Sequence, residues 1–270
     1  MPNATPVPFE PRRFRTSAEY YVRGRLPYPE RLIERVVSVS RLRQDESGLD
    51  LGCGPGFLAV AFAPHAGKVI GLDPEPAMLE AAVAYSRERR AAVEFRLGSS
   101  YDLHNFTETF QLVTMGRSFH WLDRAATLEA LDRIVAPRGA VALFRDSHLE
   151  LPQNRWRDEF RAILEPYAQK DPGHSRAARR DPSWLPHEAV LLESKFNQLE
   201  RHSVIQRIET PVERLIDRAL SMSSTSPERL GTEIDSVTAQ LRGVLNSHSS
   251  GGLIVEVVES EALLAFRINP

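Results

Sequence analysis

Apolar positions along the chain alternate between two periods. Short unbroken runs, "GLDLG" (48–52), "KVIGLD" (68–73), "AVEFRL" (92–97), "FQLVTM" (110–115) and "GAVALF" (139–144), read as buried strands. Between them, "FLAVAFAPH" from Phe57, "EPAMLEAAVAYSRERR" (75–90) and "RAATLEALDRIVA" (124–136) read as helices, the last stopped by Pro137-Arg138-Gly139. Strands and helices in alternation predict an α/β fold, a parallel sheet with helices on both faces. Ahead of them, 17–43 is helical in period but broken by "RLPYP" (25–29), and Pro29 suits the first turn of a helix through Ile33, Val36 and Val37. Residues 1–16 are Pro-rich and read as a tail or cap.

Past residue 150 the pattern changes. Residues 151–190 are charged and interrupted by prolines, with helical pieces at 156–164 and 186–194. "NQLERHSVIQRIE" (197–209) reads as strand, 211–221 and 227–245 as helices, and "LIVEVVESEALLAFRI" (253–268) as strand again. The chain therefore divides into an N-terminal cap with lid helices (1–47), a core (48–150), an insertion that covers the site and adds part of the sheet (151–252), and the last strands (253–270).

Composition narrows the classes. With 270 residues the chain can bury a full core without staples, and its net charge of −2 offers no general attraction to nucleic acid or anionic lipid. A single cysteine excludes an intrachain disulfide and suits a reducing compartment. No signal-peptide pattern and no apolar run of membrane-spanning length is present, so the expectation is a soluble cytoplasmic protein. No His or Cys cluster has metal-binding spacing.

The candidate chemistry begins at "LDLGCGPGFLAV" (49–60), with glycines at 52, 54 and 56 between a strand and a helix. A turn there lies at the carboxyl end of the sheet, where open α/β folds bind ligands, and glycine allows close backbone approach. Asp73, closing the second strand about 20 residues on, is placed to accept hydrogen bonds from both hydroxyls of a ribose. The spacing disfavours the dinucleotide fingerprint Gly-x-Gly-x-x-Gly without excluding it, since Ala59 is admissible in one register. Asp50, directly before the glycines, would repel a pyrophosphate and attract an ammonium group.

"LDLGCGPG" followed by "VIGLDPEPAML" resembles the first two motifs of class I S-adenosylmethionine-dependent methyltransferases. "AEYYVRGRLPYP" (18–29), "FQLVTMGRSFHWLDR" (110–124) and "LDRIVAPRGAVALF" (131–144) extend the resemblance to a small-molecule subgroup related to the trans-aconitate type, and "LSMSSTSPERLG" (220–231) looks like its C-terminal pattern. The resemblance implies a Rossmann-like, seven-stranded, mostly parallel sheet with one antiparallel strand near an edge. It implies S-adenosylmethionine as cofactor and a small-molecule acceptor, methylated at oxygen or nitrogen. Contacts to the donor would come from Asp50, Gly52, Cys53, Gly54 and Gly56, from Asp73, Pro74 and Met78, from Ser99, Ser100 and Tyr101, and from Met115 and Gly116. Where the family often has an acidic residue for the adenine amine this chain has Ser99, so Asp102 or backbone groups must serve. Gln111 replaces a frequent Asp, a structural difference.

His120, just beyond the fourth strand, stands where acceptors sit in this fold. It is a group that touches substrate or donor, or a base, or a histidine that fixes its loop through a hydrogen bond. Trp121 reads as packing or an adenine-side wall rather than a catalytic group. Tyr20, Tyr21, Arg25 and Tyr28 read as a lid or as a structural clamp, and Arg25 would pair with a carboxylate of donor or substrate. Cys53 reads as a small loop residue rather than a nucleophile. His65, His104, His174, His187, His202 and His248 read as scattered and solvated. "RERR" (87–90) suits a helix C-terminus, whereas "RAARR" (176–180) lies in the cover, where an anionic substrate would be met. The run "SMSSTS" (221–226) is a helix stop whose hydroxyls could reach the site. Two other classes stay open: a donor-binding enzyme of non-methyl chemistry, and a noncatalytic donor-binding protein.

Overall fold

The computed structural model describes residues 14–170 and 184–268. Seven strands form one sheet: β1 (Ser47–Leu51), β2 (Lys68–Asp73), β3 (Glu94–Leu97), β4 (Phe110–Gly116), β5 (Val135–His148), β6 (Gln198–Pro211) and β7 (Leu253–Phe266), in the order β3-β2-β1-β4-β5-β7-β6. β3, β2, β1, β4 and β5 pair in parallel, and β7 runs antiparallel to both of its neighbours. The central strands are covered on both faces, which is why they read as unbroken apolar runs. The chain winds outward from β1 to β3 and then returns to β4. The switch between β1 and β4 opens a crevice at the carboxyl edge, and the loops after β1, β2, β3 and β4 all converge there.

Helices α1 (Ala18–Gly24), α2 (Glu30–Ser40), α3 (Phe57–Phe62), α4 (Pro76–Glu88), α5 (Arg124–Ile134), α6 (Trp156–Gln169), α7 (His187–Leu192), α8 (Val212–Leu220), α9 (Pro227–Leu230) and α10 (Ile234–His248) surround the sheet. Leu128 and Leu131 of α5 and Leu191 of α7 pack on one face. Leu32 and Val36 of α2 and Leu58 and Phe62 of α3 pack on the other. A third cluster joins Trp156, Phe160 and Leu164 of α6 to Leu215 and Ile216 of α8 and Leu241 and Leu245 of α10. In α8 the buried residues Val212, Leu215, Ile216, Ala219 and Leu220 follow the i, i+3, i+4, i+7, i+8 spacing of one helical face.

Two details differ from the sequence reading and a third agrees with it. The helix expected over 227–245 is two helices, because Gly231 takes φ +53° and ends α9 before α10 begins. β5 starts at Val135 rather than 139, since a register shift opposite Phe110 and Leu112 absorbs Pro137. Gln111 is indeed structural: its side-chain amide donates to the Ser40 carbonyl at 2.7 Å and the Arg138 carbonyl at 3.2 Å. The expected tail lies almost wholly, and "RAARR" entirely, outside the described residues.

α1 crosses α8 with backbone against backbone. A Cβ placed on Gly24 would lie 2.3 Å from the Arg218 nitrogen, so no side chain fits there without parting the helices. Gly24→Ala is therefore expected to destabilise by about 1–3 kcal/mol, as overpacking does. Thermal unfolding checks this; an unchanged melting temperature would mean that the crossing is not tight in solution.

Candidate functional site

The glycine loop is shaped by its backbone. Gly52, Gly54 and Gly56 take φ of +68°, +53° and +83°, a region that disfavours any side chain. The Gly52 and Cys53 amides both donate to the Leu72 carbonyl, at 2.8 and 3.0 Å, tying the loop to the end of β2. Asp73 completes the tie. One carboxylate oxygen accepts from the Gly54 amide at 2.8 Å and the other from the Glu75 amide at 2.9 Å. The group is buried, and burial pushes its pKa up to about 6 despite these two donors. Such a carboxylate has capacity for further donors, and a vicinal diol supplies two.

A cavity of about 830 Å³ lies above the loop, at the upper end of the range for small-molecule sites. Gly52, Cys53, Gly54, Asp73, Pro74, Met78, Ser99, Ser100, Tyr101, Met115 and Gly116 all line it, as do His120, Trp121, Tyr21 and Arg25. Asp50, Gly56, Tyr28 and Tyr20 do not line it, and Tyr20 packs against the cluster that α6, α8 and α10 form. Asp50 is buried beneath the loop, where its carboxylate accepts from the Thr114 hydroxyl at 2.8 Å and the Ala59 amide at 3.1 Å. Burial raises its pKa to about 7. Gly56 caps α3, with Phe95 only 3.1 Å from where its Cβ would be. Tyr28 is buried against Phe144, under the guanidinium of Arg117.

Asp102 is likewise committed, since it accepts from the Ser99 amide at 2.7 Å in a capping box. Cys53 is a buried thiol whose pKa burial raises well above the ordinary value. His120 lies in the turn Phe119–Trp121 after β4, with its ring 4.7 Å from that of Trp121, and Phe14 meets Trp121 edge-on at 5.8 Å. Arg25 donates from Nε to the Ser221 hydroxyl at 2.8 Å and lies over the Tyr21 ring. Arg117, at φ +57°, binds Asp146, the Tyr21 hydroxyl and the Leu26 carbonyl, fastening the segment after α1 to the end of β4. Ser221, Met222, Ser223 and Ser224 do reach the cavity wall.

One expectation is corrected. His187 is not a solvated side chain: it lines the cavity, edge-on to Phe119 at 5.1 Å and 3.2 Å from the Arg124 guanidinium. A further group was invisible in the sequence. His148, at the end of β5, is 2.7 Å from Glu256 of β7, and Arg218 of α8 binds the same carboxylate at 2.7 and 3.0 Å. These residues stand 108 and 38 positions from Glu256 and share no motif. Among the described residues, no group of three or more His, Cys, Asp and Glu is arranged to hold a metal ion.

The site thus suits a nucleoside-bearing ligand: the β1 loop is free of side chains at Gly52 and Gly54, the Asp73 carboxylate has acceptor capacity for a diol, and the cavity runs on past it. A Cβ at Gly54 would meet nothing nearer than the Met78 sulfur at 4.0 Å, so the loop borders open space.

Residues 49–139 match a family model described as a methyltransferase domain. An uncharacterized methyltransferase of Mycobacterium tuberculosis is 26% identical over 254 residues, covering 91% of this chain and 92% of the relative. The uncharacterized methyltransferase YcgJ of Bacillus subtilis is 27% identical over 143 residues, 52% of this chain and 54% of its own length. The crystal structure of YcgJ superposes with a TM-score of 0.52 at 20% identity, covering 88% of this chain and 99% of that one. An S-adenosylmethionine-dependent methyltransferase from Thiobacillus denitrificans, solved with S-adenosyl-L-homocysteine, gives 0.51 at 16% identity over 93% and 97% of the two chains. At such identities these structures establish the shared fold. Within the described residues no helix is long and apolar enough to cross a membrane.

Proposed function

We propose that this class I S-adenosylmethionine-dependent methyltransferase transfers its methyl group to an oxygen or nitrogen of a small-molecule acceptor held beside the donor in the cavity above the glycine loop. The observation that carries the reading is the buried Asp73 carboxylate, tied to the glycine loop and lining a cavity of about 830 Å³. When bound, the cofactor supplies a methyl carbon already activated by its sulfonium. The chain's task is then positioning, which can contribute about 7–11 kcal/mol.

In this reading the Asp73 carboxylate accepts from the ribose hydroxyls, and the glycine-loop backbone borders the methionine end. Pro74 and Met78 flank the adenine, with Ser99, Ser100 and Tyr101 on its far side. Asp50 acts from beneath: by fixing Thr114 and the Ala59 amide it holds the end of β1 and the start of α3 in place. Arg25 and Tyr21 form the lid, and His120 touches the acceptor. The 151–252 insertion is the cover that selects it. Assignment to the trans-aconitate-type subgroup rests on the motifs alone. The net charge of −2 argues against a nucleic-acid partner, and the single buried thiol fits a reducing cytoplasm.

Calorimetric titration of S-adenosylhomocysteine and of NAD into the protein tests the donor, and mass analysis of an acceptor screen tests the reaction. The expected result is micromolar binding of the first ligand, none of NAD, and a gain of one methyl group. Binding of NAD instead would overturn the reading. On an acceptor so found, His120→Ala is expected to leave S-adenosylhomocysteine affinity unchanged and lower turnover about 10²–10⁴-fold if it moves a proton. Unchanged turnover would reduce His120 to a loop support.

A further inference from the structure

The cavity wall where α6 and α8 meet carries more positive charge than the chain itself neutralises. Of the acidic side chains near that wall, Asp158, beside Arg157 on α6, is exposed, and the others already have partners. Asp146 binds Arg117, Glu261 binds Arg145 and Arg201, Asp217 binds Arg23, and Glu256 is shared by Arg218, His148 and Thr210. Arg157 and Arg161 line the same cavity without an ion pair to any described residue. They stand four residues apart on α6, a spacing that puts both guanidinium groups on neighbouring turns of one face.

The half-buried Arg157 guanidinium is held below its ordinary range, at about 10. Burial is the main cause, and Arg161 and Arg218 add repulsion that the attraction of Glu256 and Asp158 does not offset. A cation left in that setting is stabilised by any anion that enters. Guanidinium groups also match the planar oxygens of carboxylate and phosphate, with which they form paired, charge-assisted hydrogen bonds. The neighbours of this pair are Trp156, His148 and Arg218, on elements of the cover and the far end of β5, whereas the glycine loop belongs to β1.

We infer that Arg157 and Arg161 form an oxyanion subsite that selects the acceptor, gripping a carboxylate or phosphate group other than the atom that is methylated. The subsite rests on reading the cavity as a shared site for donor and acceptor. It divides the labour within the cavity. The loop edge of the sheet holds the donor, and α6 holds the acceptor by a charged handle and so sets its distance from the methyl group.

The test uses the full chain in a phosphate-free, low-salt buffer, saturated with S-adenosylhomocysteine. Inorganic phosphate, succinate and, as the uncharged control, succinamide are titrated by calorimetry into wild type, R157Q/R161Q and R157K. Binding of at least one anion to wild type is expected, with no binding of succinamide. The double variant should lose at least tenfold in affinity for that anion, and R157K should lose less. Preference for succinate points to a carboxylate handle, and preference for phosphate to a phosphate one; each supports the subsite. Absence of anion binding to wild type, or equal binding to the double variant, overturns it. S-adenosylhomocysteine affinity is read on every variant and should stay within twofold, which shows that the site is folded. Should wild type fail to bind S-adenosylhomocysteine while the anion still distinguishes the variants, the donor reading falls and the anion subsite stands. Should the donor product bind while no anion does, only the subsite falls.

Discussion

Asp73→Ala is expected to weaken S-adenosylhomocysteine binding at least a hundredfold, which is among the largest effects that any single substitution in this site should have. Hydrogen bonds to a charged group are worth about 1.5–3 kcal/mol each, and a ribose offers two. The substitution also frees the Gly54 and Glu75 amides, so the loop loses the anchor that holds its shape. Asn is no rescue: one of its two positions is an NH₂ that would face an amide donor. The pH dependence provides an independent check. The donor's hydroxyls need the ionised carboxylate, whose pKa in the free protein is raised to about 6. Affinity should therefore be level above pH 6 and fall tenfold per unit below it, and in Asp73→Ala this slope should vanish. Unchanged affinity in the variant, or a flat profile in wild type, would remove Asp73 from the ribose.

The centre of the sheet was legible because β1, β2, β4 and the middle of β5 are buried on both faces and therefore appear as apolar runs, bounded by Gly and Pro at nearly the observed ends. The loop after β1 was legible for a different reason: glycine adopts the positive φ found at 52, 54 and 56 without the steric cost that a side chain brings. Asp50 shows where such reasoning stops. It adjoins the glycines in sequence, but side chains alternate along a strand, so it points away from Leu49 and Leu51 toward the first turn of α3. The part of the cavity away from the glycine loop was legible only at the serine run 221–226. Its wall is assembled from the ends of β5 and β7 with α6 and α8, elements separated by up to about a hundred residues, and no local pattern marks His148, Arg157 or Glu256 as neighbours.

Glu256→Gln should have the largest effect on stability. In "LIVEVVES" this residue reads as one more charge on a strand, yet it is 0% exposed. Burial opposes its ionisation, but His148, Arg218 and Thr210 outweigh it and hold the pKa at about 2. Removing the charge leaves the buried Arg218 guanidinium uncompensated, a change that costs about 3–5 kcal/mol. At about 2–4 °C per kcal/mol for a chain of this size, the melting temperature should drop roughly 10 °C. Because the pKa is depressed, this contribution is present above the unfolded value near 4.3 and is lost as pH falls toward 2, so the gap between wild type and variant should close in acid. Replacing both partners, as Glu256→Gln with Arg218→Met, should recover much of the loss, because the stranded charge goes with its mate. A single variant that melts with wild type would show that water reaches Arg218. The carboxylate would then be one partner among solvent molecules rather than the anchor that fastens α8 to the start of β7.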